Sequence, residues 1–157
     1  RESIMAQTSI CLDYVPDTSD FTETRYIAGR ERLHSGVFVT FRPFDIMQRA
    51  TLLEVRNRTA NEVKFLEILI RELTKRVTGW SLTMPAIPSD PKSEQVPMPI
   101  EEKYVRSLKP ALLNRMLDIV IWSADGGDVP PDGIETSVSS DEFENRIQEM
   151  LSQSAAS

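Results

Sequence analysis

The sequence is poor in the residues that build covalent and metal-held scaffolds, because its 157 residues include one cysteine, Cys11, and one histidine, His34. A single cysteine cannot form an intramolecular disulfide, so a disulfide-stapled secreted scaffold is excluded. A single histidine excludes zinc sites built mainly from His and Cys ligands. The apolar run from Ile119 to Trp122 is far too short to cross a membrane, and no signal-peptide pattern is visible at the N-terminus.

Hydrophobic residues make up 40% and charged residues 27% of the chain, a composition typical of one globular domain. The net charge of −6 is unevenly distributed. Residues 125–157 contain eight acidic residues and one basic residue, a net charge of −7, whereas the rest of the chain has 17 basic and 16 acidic residues, a net charge of +1. The sequence therefore predicts an acidic tail on a nearly neutral body, which argues against a general nucleic-acid binder.

Two segments near the N-terminus alternate apolar residues with the period of a half-buried strand. One is residues 10–14, where Ile10, Leu12 and Tyr14 are two apart. The other is residues 37–41, which follow the turn-forming pair Ser35-Gly36 and end before Pro43. The pattern predicts a small antiparallel sheet of two or three strands.

Beyond these strands the apolar period changes to that of a helix. Asp45 can cap a first helix, and Asn61 can cap a second, longer one that we expect to end at Gly79. The apolar side of the first helix consists of Ile46, Met47, Ala50, Leu52 and Leu53. The second helix has one apolar stripe made of Val63, Leu66, Leu69, Ile70, Leu73 and Val77.

The second half of the chain starts with residues 81–99, whose five prolines predict a semi-extended connection without regular structure. A short helix over about residues 100–108 follows. Pro110 then lies in the first turn of another predicted helix, which we expect to end at Asp125-Gly126-Gly127.

These elements define an α+β, mainly α-helical fold in which a small N-terminal antiparallel β element packs on a helix bundle. Residues 1–125 form the globular body, and residues 126–140 form a linker rich in Pro, Gly and acidic residues. We expect residues 141–153 to form a C-terminal acidic, amphipathic helix that begins with a capping-box pattern from Ser139 to Glu142. Its narrow apolar face carries Phe143, Ile147, Met150 and Leu151.

The sequence has no motif for catalysis, cofactor binding or metal binding. Asp118 could be a buried acid with a shifted pKa, but we favour a residue on the polar face of its helix. His34 could belong to a hydrolase triad, but the sequence has no Gly-x-Ser-x-Gly motif, so we interpret it as a turn residue. Gly126-Gly127 lacks the Walker lysine. The aspartates Asp125, Asp128 and Asp132 miss the spacing of a calcium loop. We therefore predict a protein that is not an enzyme and binds no cofactor or metal.

Four features could contact other macromolecules, and one of them is the long helix of residues 61–78. Arginines and aromatics around residues 25–42 could bind nucleic acid, although we favour a solvated sheet surface; the arginines are Arg25, Arg30, Arg32 and Arg42. Trp80 either packs on the helices and anchors the proline-rich connection, which we favour, or contacts a partner. The tail helix either docks on its own body or binds another protein through Phe143, Ile147, Met150 and Leu151.

The order of several short motifs resembles that of a known family. A strand ending in Phe41-Arg42-Pro43 precedes a long helix that runs into Trp80-Ser81-Leu82. Val96-Pro97-Met98-Pro99, a leucine-rich helix that begins at Leu108-Lys109-Pro110, and an acidic tail follow. Over about residues 36–125 this order resembles the tail assembly chaperones of siphophages, whereas residues 1–35 have no clear counterpart.

The resemblance implies a non-enzymatic assembly protein that binds the tape-measure protein, or a tail-tube protein, in the host cytoplasm. A homo-oligomer is a further option, and neither nucleic acid nor membrane is an expected partner. The alternative is a permanent structural component of the virion, such as a tail or capsid accessory protein, that docks through its C-terminal arm. The resemblance implies no catalytic residues.

Overall fold

The computed structural model describes residues 12–18, 20–124 and 126–131. Its elements, in chain order, are β1 (Glu23–Ile27), β2 (Val37–Phe41), α1 (Ile46–Arg58), α2 (Glu62–Arg76), β3 (Val77–Trp80), β4 (Thr83–Pro85), β5 (Gln95–Pro97), α3 (Glu102–Arg106) and α4 (Pro110–Val120). Helices and small antiparallel sheets occur together, which confirms the α+β class. The predicted helix of residues 141–153 lies outside the described residues.

β1, β2 and β3 form an antiparallel sheet with β2 in the centre. β2 is the strand predicted over residues 37–41, and its side chains Val37, Val39 and Phe41 are buried in the main core. Phe38 is also fully buried, and its ring centroid lies 4.9 Å from that of Tyr26. Burial of successive residues explains the nearly continuous apolar run of this strand.

The strands that flank β2 are β1 and β3, and neither is the strand predicted over residues 10–14. Residues 12–14 are not part of a strand, which corrects the prediction over residues 10–14 as far as the structure describes them. β1 takes that place in the sheet. It shows no apolar alternation because Glu23 and Arg25 share a face with Ile27, and the carboxylate and guanidinium form an ion pair at 3.1 Å.

Both long helices begin where their capping residues predict. The Asp45 side chain accepts a hydrogen bond from the Gln48 amide, and the Gln48 side chain accepts one from the Asp45 amide, so the two form a capping box. The Asn61 side chain accepts hydrogen bonds from the amides of Val63 and Lys64. These bonds satisfy amides that have no partner within the helix.

The end of α2 corrects a prediction. The helix stops at Arg76, and Gly79 lies within β3 opposite Thr40 rather than terminating the helix. The backbone becomes extended at Val77 (φ −73°, ψ 125°), whose amide still donates to the Leu73 carbonyl. Val77 and Thr78 are β-branched and favour a strand, and pairing with β2 places them there.

Residues 81–99 also contain more regular structure than predicted. β4 and β5 form a two-stranded antiparallel hairpin in which Thr83 pairs with Pro97 and Pro85 pairs with Gln95. Prolines are tolerated here because each strand of a two-stranded hairpin has a free edge. A residue whose amide position faces that edge does not need to donate a hydrogen bond to the other strand. The Met98 amide extends the pairing by donating to the Leu82 carbonyl at 3.0 Å.

The core lies between β2, α2 and α4. α2 packs on α3, α4 and β3, and α4 reaches β1. The buried side chains of α4 are Leu112, Leu113, Met116, Leu117, Ile119 and Val120. Pro110 lies in the first turn of α4, as predicted, but the helix ends at Val120 and does not reach Asp125-Gly126-Gly127. Ser123 adopts a left-handed conformation (φ 52°), which turns the chain out of the helical path before the glycines.

Candidate interaction surface

The apolar stripe of α2 is only partly covered by the body. Its residues Val63, Leu66, Ile70 and Leu73 follow one another at intervals of three, four and three, so they lie on one side of the helix. Ile70 and Leu73 are 3% and 0% exposed, whereas Val63 and Leu66 are 65% and 44% exposed. We call Val63 and Leu66 the uncovered stripe, because they continue a buried apolar row into solvent.

The uncovered stripe lies on a helix that is otherwise held firmly. Phe65 and Ile68, which project from another side of α2, are partly buried against the core cluster, and Leu69 is buried. The Asn61 cap satisfies amides at the first turn of the same helix. The uncovered stripe is therefore a pre-formed apolar surface, and a binding partner would not have to order the helix.

A second apolar surface lies on α1. Ile46 and Met47 are 65% and 71% exposed, and Ala50 is exposed beside them, whereas Leu52, on another side of the helix, is buried. The structure thus corrects the predicted apolar side of this helix. Leu52 and the hydrogen bond from Arg49 Nη1 to the Trp122 carbonyl, 2.6 Å, hold α1 on the body through its other side.

Trp80 lies in the core. Its side chain is 7% exposed, and its indole Nε1 donates a hydrogen bond to the Met98 carbonyl at 2.7 Å. That bond joins the end of β3 to the residue that follows β5. This agrees with the interpretation that Trp80 anchors the proline-rich connection. A side chain this buried does not offer an exposed surface to a partner.

A cleft of 530 Å³ lies between the N-terminal segment, the start of α1 and the end of α2. Its charged lining residues are three acids and three bases, Asp17, Asp45, Glu72, Arg42, Lys75 and Arg76. Most of these side chains have a hydrogen-bonding or ion-pairing partner within the protein. Asp45 caps α1, Glu72 is 3.4 Å from the Lys75 ammonium, and Arg42 Nη2 donates to the Lys75 carbonyl at 2.6 Å.

The Arg76 guanidinium forms one wall of this cleft. It stacks over the Phe44 ring, 3.9 Å from the ring centroid, and its Nη1 lies 3.4 Å from the Pro43 carbonyl. Burial lowers the pKa of Arg76, Glu72 opposes that shift, and the nearby Arg42 reinforces it. The balanced charges and the stacked arginine indicate that the cleft stabilises the junction of α1 and α2 with the sheet.

Asp128 fixes the start of the acidic C-terminal segment to the sheet. Its carboxylate accepts hydrogen bonds from Arg115 Nη1 at 3.1 Å, Arg115 Nη2 at 3.0 Å and the Ala28 amide at 2.8 Å. The Asp128 amide donates to the Tyr26 carbonyl at 2.7 Å. The Arg115 hydrogen bonds, followed by the one from Ala28, lower the pKa of Asp128. Although its sequence predicts a linker, this stretch is held on β1.

The other residues considered for chemistry have structural surroundings. His34 closes a turn with Arg30, and its Nδ1 lies 2.9 Å from the Ser35 carbonyl, as expected for a turn residue. Asp118 is on the exposed side of α4. Phe38 and Phe41 are buried, so they provide no stacking platform for nucleic-acid bases. Among the described residues, no group of three His, Cys, Asp or Glu side chains could hold a metal ion.

The predicted tail contacts cannot be compared with the structure, because Phe143, Ile147, Met150 and Leu151 lie outside the described residues. The sequence indicates the helix of residues 61–78 as a candidate contact, and Val63 and Leu66 belong to its predicted stripe, but the sequence does not single out these two residues. Nothing local distinguishes Val63 and Leu66 from Ile70 and Leu73, since their exposure depends on which elements pack against each turn.

Comparison of the chain with models of protein families, with curated proteins and with solved structures finds no match. None of the helices in the described ranges is long and apolar enough to span a membrane.

Proposed function

We propose that this chain is a non-enzymatic phage assembly protein that binds other phage structural proteins through the uncovered stripe of α2. The specific role we favour is that of a tail assembly chaperone for the tape-measure protein. The single observation that carries the proposal is the exposure of Val63 and Leu66 on a stripe whose other half is buried. Such a surface can accept an apolar side of a partner helix.

The physical chemistry of a tape-measure protein suits this surface. A long helical protein that awaits assembly exposes apolar rows, and exposed apolar rows promote aggregation. Helices pack side by side when their apolar residues recur at three and four, which is the spacing of the α2 stripe. A partner helix with that spacing could extend the packing that Ile70 and Leu73 begin inside the body.

The test is a binding measurement between the purified full chain and helical segments of the tape-measure protein from the phage that encodes it. The double variant Val63→Gln and Leu66→Gln places a good helix former at each position and removes the apolar surface. Loss of a central apolar contact typically costs about 2 kcal/mol, so we expect binding to weaken roughly 30-fold.

Lys64→Gln is the matched control, because Lys64 is exposed in the same turn but lies off the stripe. We expect its affinity to stay within about twofold of the wild type, as is usual for residues outside the contact. Circular dichroism should give the same helix content for all three proteins. Equal binding by the double variant and the wild type would refute the proposed role of the uncovered stripe.

A permanent virion component that docks through its C-terminal arm is the second candidate. The observation that favours it is the fastening of Asp128 to β1, which gives an arm a fixed starting point on the body. Mass spectrometry of purified virions separates the two candidates. Abundant peptides from this chain would support the virion component. Their absence, with the protein present in infected cells, would support the chaperone.

A further inference from the structure

The uncovered stripe and the predicted tail helix have matching apolar patterns. On α2, Val63, Leu66 and Ile70 are spaced by three and four residues. In the tail, Phe143, Ile147 and Met150 are spaced by four and three residues. These are the intervals with which two helices interlock along a common seam. The chain therefore contains, in its own tail, a segment of the kind that the uncovered stripe can accept.

The charges favour the tail over a second copy of the same surface. Residues 62–76, which form α2, have four basic and three acidic residues, a net charge of +1. Residues 132–157 have six acidic residues and one basic residue, a net charge of −5. Two copies of α2 would bring like net charges together, whereas the tail brings the opposite net charge.

The chain is long enough for the contact to form within one molecule. The described residues end at Pro131, which follows the attachment of Asp128 to β1. Twelve residue steps to Phe143 span at most about 40 Å, whereas a body of this size has a radius of gyration of about 14 Å. Attachment through such a segment gives an effective concentration on the order of 1 mM, so even a weak contact is populated.

We propose that residues 141–153 dock in cis on the uncovered stripe of α2 and must be displaced before a partner helix can bind there. Phe143, Ile147 and Met150 then cover Val63 and Leu66. With an intrinsic dissociation constant on the order of 0.1 mM, the tail would occupy the stripe about 90% of the time. Occupancy at that level weakens partner binding about tenfold.

Site-directed cross-linking in the full chain tests the docking without any partner. In a Cys11→Ser background, one cysteine is placed on the body and one on the tail, and a short bismaleimide joins pairs that come close. The body positions are Val63→Cys, on the uncovered stripe, and the control Ile87→Cys, which is 54% exposed in the loop between β4 and β5. The tail positions are Ile147→Cys, on the apolar face of the predicted helix, and the control Ser152→Cys, on its opposite face.

We expect the pair at 63 and 147 to form an intramolecular cross-link at least five times faster than each of the other three pairs. Equal rates for tail positions 147 and 152 would overturn the proposal, because no particular face of the tail would be in contact. Equal rates for body positions 63 and 87 would overturn it as well. Cross-linked dimers in place of monomers would mean that the stripe is covered by a second copy.

This inference rests on the proposed function only for its consequence, the competition with a partner. In the binding assay, the tail variant Phe143→Ser with Ile147→Ser should bind a tape-measure segment about tenfold more tightly than the wild type. Weaker binding would mean that the tail contacts the partner directly, which contradicts docking in cis. If the partner binds no form of the chain, the proposed function fails, while the cross-linking result still decides whether the tail docks.

Discussion

Replacing Asp128 by asparagine tests the attachment that holds the start of the C-terminal segment on the sheet. The carboxylate accepts two hydrogen bonds from Arg115 and one from the Ala28 amide. Asparagine keeps one acceptor oxygen but loses the charge and the bidentate geometry. The side chains of Arg115 and Asp128 are 31% and 32% exposed, so solvent screens their attraction. We expect the free energy of unfolding to fall by about 1–2 kcal/mol.

Urea denaturation followed by tryptophan fluorescence measures this change, because Trp80 is buried in the core and reports its unfolding. With a slope of about 2 kcal/mol per molar urea, the midpoint should fall by about 0.5–1 M. Asp118→Asn is the matched control, since Asp118 is an exposed carboxylate on α4, the helix that carries Arg115. Its effect should stay within about 0.5 kcal/mol.

The effect of Asp128 should also depend on pH in a defined direction. The hydrogen bonds from Arg115, and then that from Ala28, lower the pKa of this carboxyl from its ordinary value of 3.8. A lowered pKa in the folded state stabilises the protein above the ordinary value, and the contribution disappears as the pH falls through the folded pKa. The difference between wild type and Asp128→Asn should therefore shrink below about pH 4. A difference that is absent at pH 7, or unchanged from pH 7 to pH 3, would refute the reasoning.

Three further predictions concern packing and backbone geometry. Gly127→Ala should lower the unfolding free energy by about 2 kcal/mol or more in the same urea assay, because Gly127 has φ +88° and an added Cβ would lie 2.7 Å from a carbonyl oxygen of β1. Trp80→Phe leaves the Met98 carbonyl without its indole donor and should cost about 1–3 kcal/mol; amide exchange in the β4–β5 hairpin should accelerate. Leu73→Ala should cost about 2–5 kcal/mol in thermal denaturation, whereas Leu66→Ala, at a position that is 44% exposed, should cost less than about 1 kcal/mol.

The features predicted correctly are those determined by residues close together in the chain. Asp45 and Asn61 bond to amides two or three residues away, so the starts of α1 and α2 can be read locally. Pro110 fits the first turn of a helix because its missing amide would have no partner there. The central strand, β2, follows from a short apolar run bounded by turn residues.

The features predicted incorrectly depend on partners that are distant in the sequence. Gly79 has the residue type of a helix end, but pairing with Thr40 on β2 draws it into a strand. β4 and β5 contain prolines, and their hairpin forms because the Trp80 indole and the Leu82 carbonyl hold Met98 at its base. Propensity describes a segment on its own, and tertiary contacts override it in both places.

The same distinction explains why the sequence indicates the helix of residues 61–78 as a candidate contact but does not show which part of its stripe is exposed. The pattern identifies Val63, Leu66, Ile70 and Leu73 as one stripe, and this is how they lie on α2. The pattern does not show how far along α2 the other elements of the fold cover this stripe. α3 and α4 pack against α2, while its first turns keep two large apolar side chains in solvent.

The uncovered stripe exposes apolar side chains to water, and the stability of α2 does not require them to be apolar. Val63 and Leu66 could be polar without disturbing the contacts of Ile70 and Leu73, because the helix is already capped by Asn61 and held by Phe65. Burying a fully exposed side chain of this size contributes roughly 1.5–3 kcal/mol, and since Val63 and Leu66 are 65% and 44% exposed, covering each would contribute roughly half of that. That free energy is available to whichever apolar segment covers them. Docking of the tail and binding of a partner therefore use the same contacts. When Phe143 alone is replaced by serine, the cross-link between positions 63 and 147 should form more slowly, and the partner should bind more tightly.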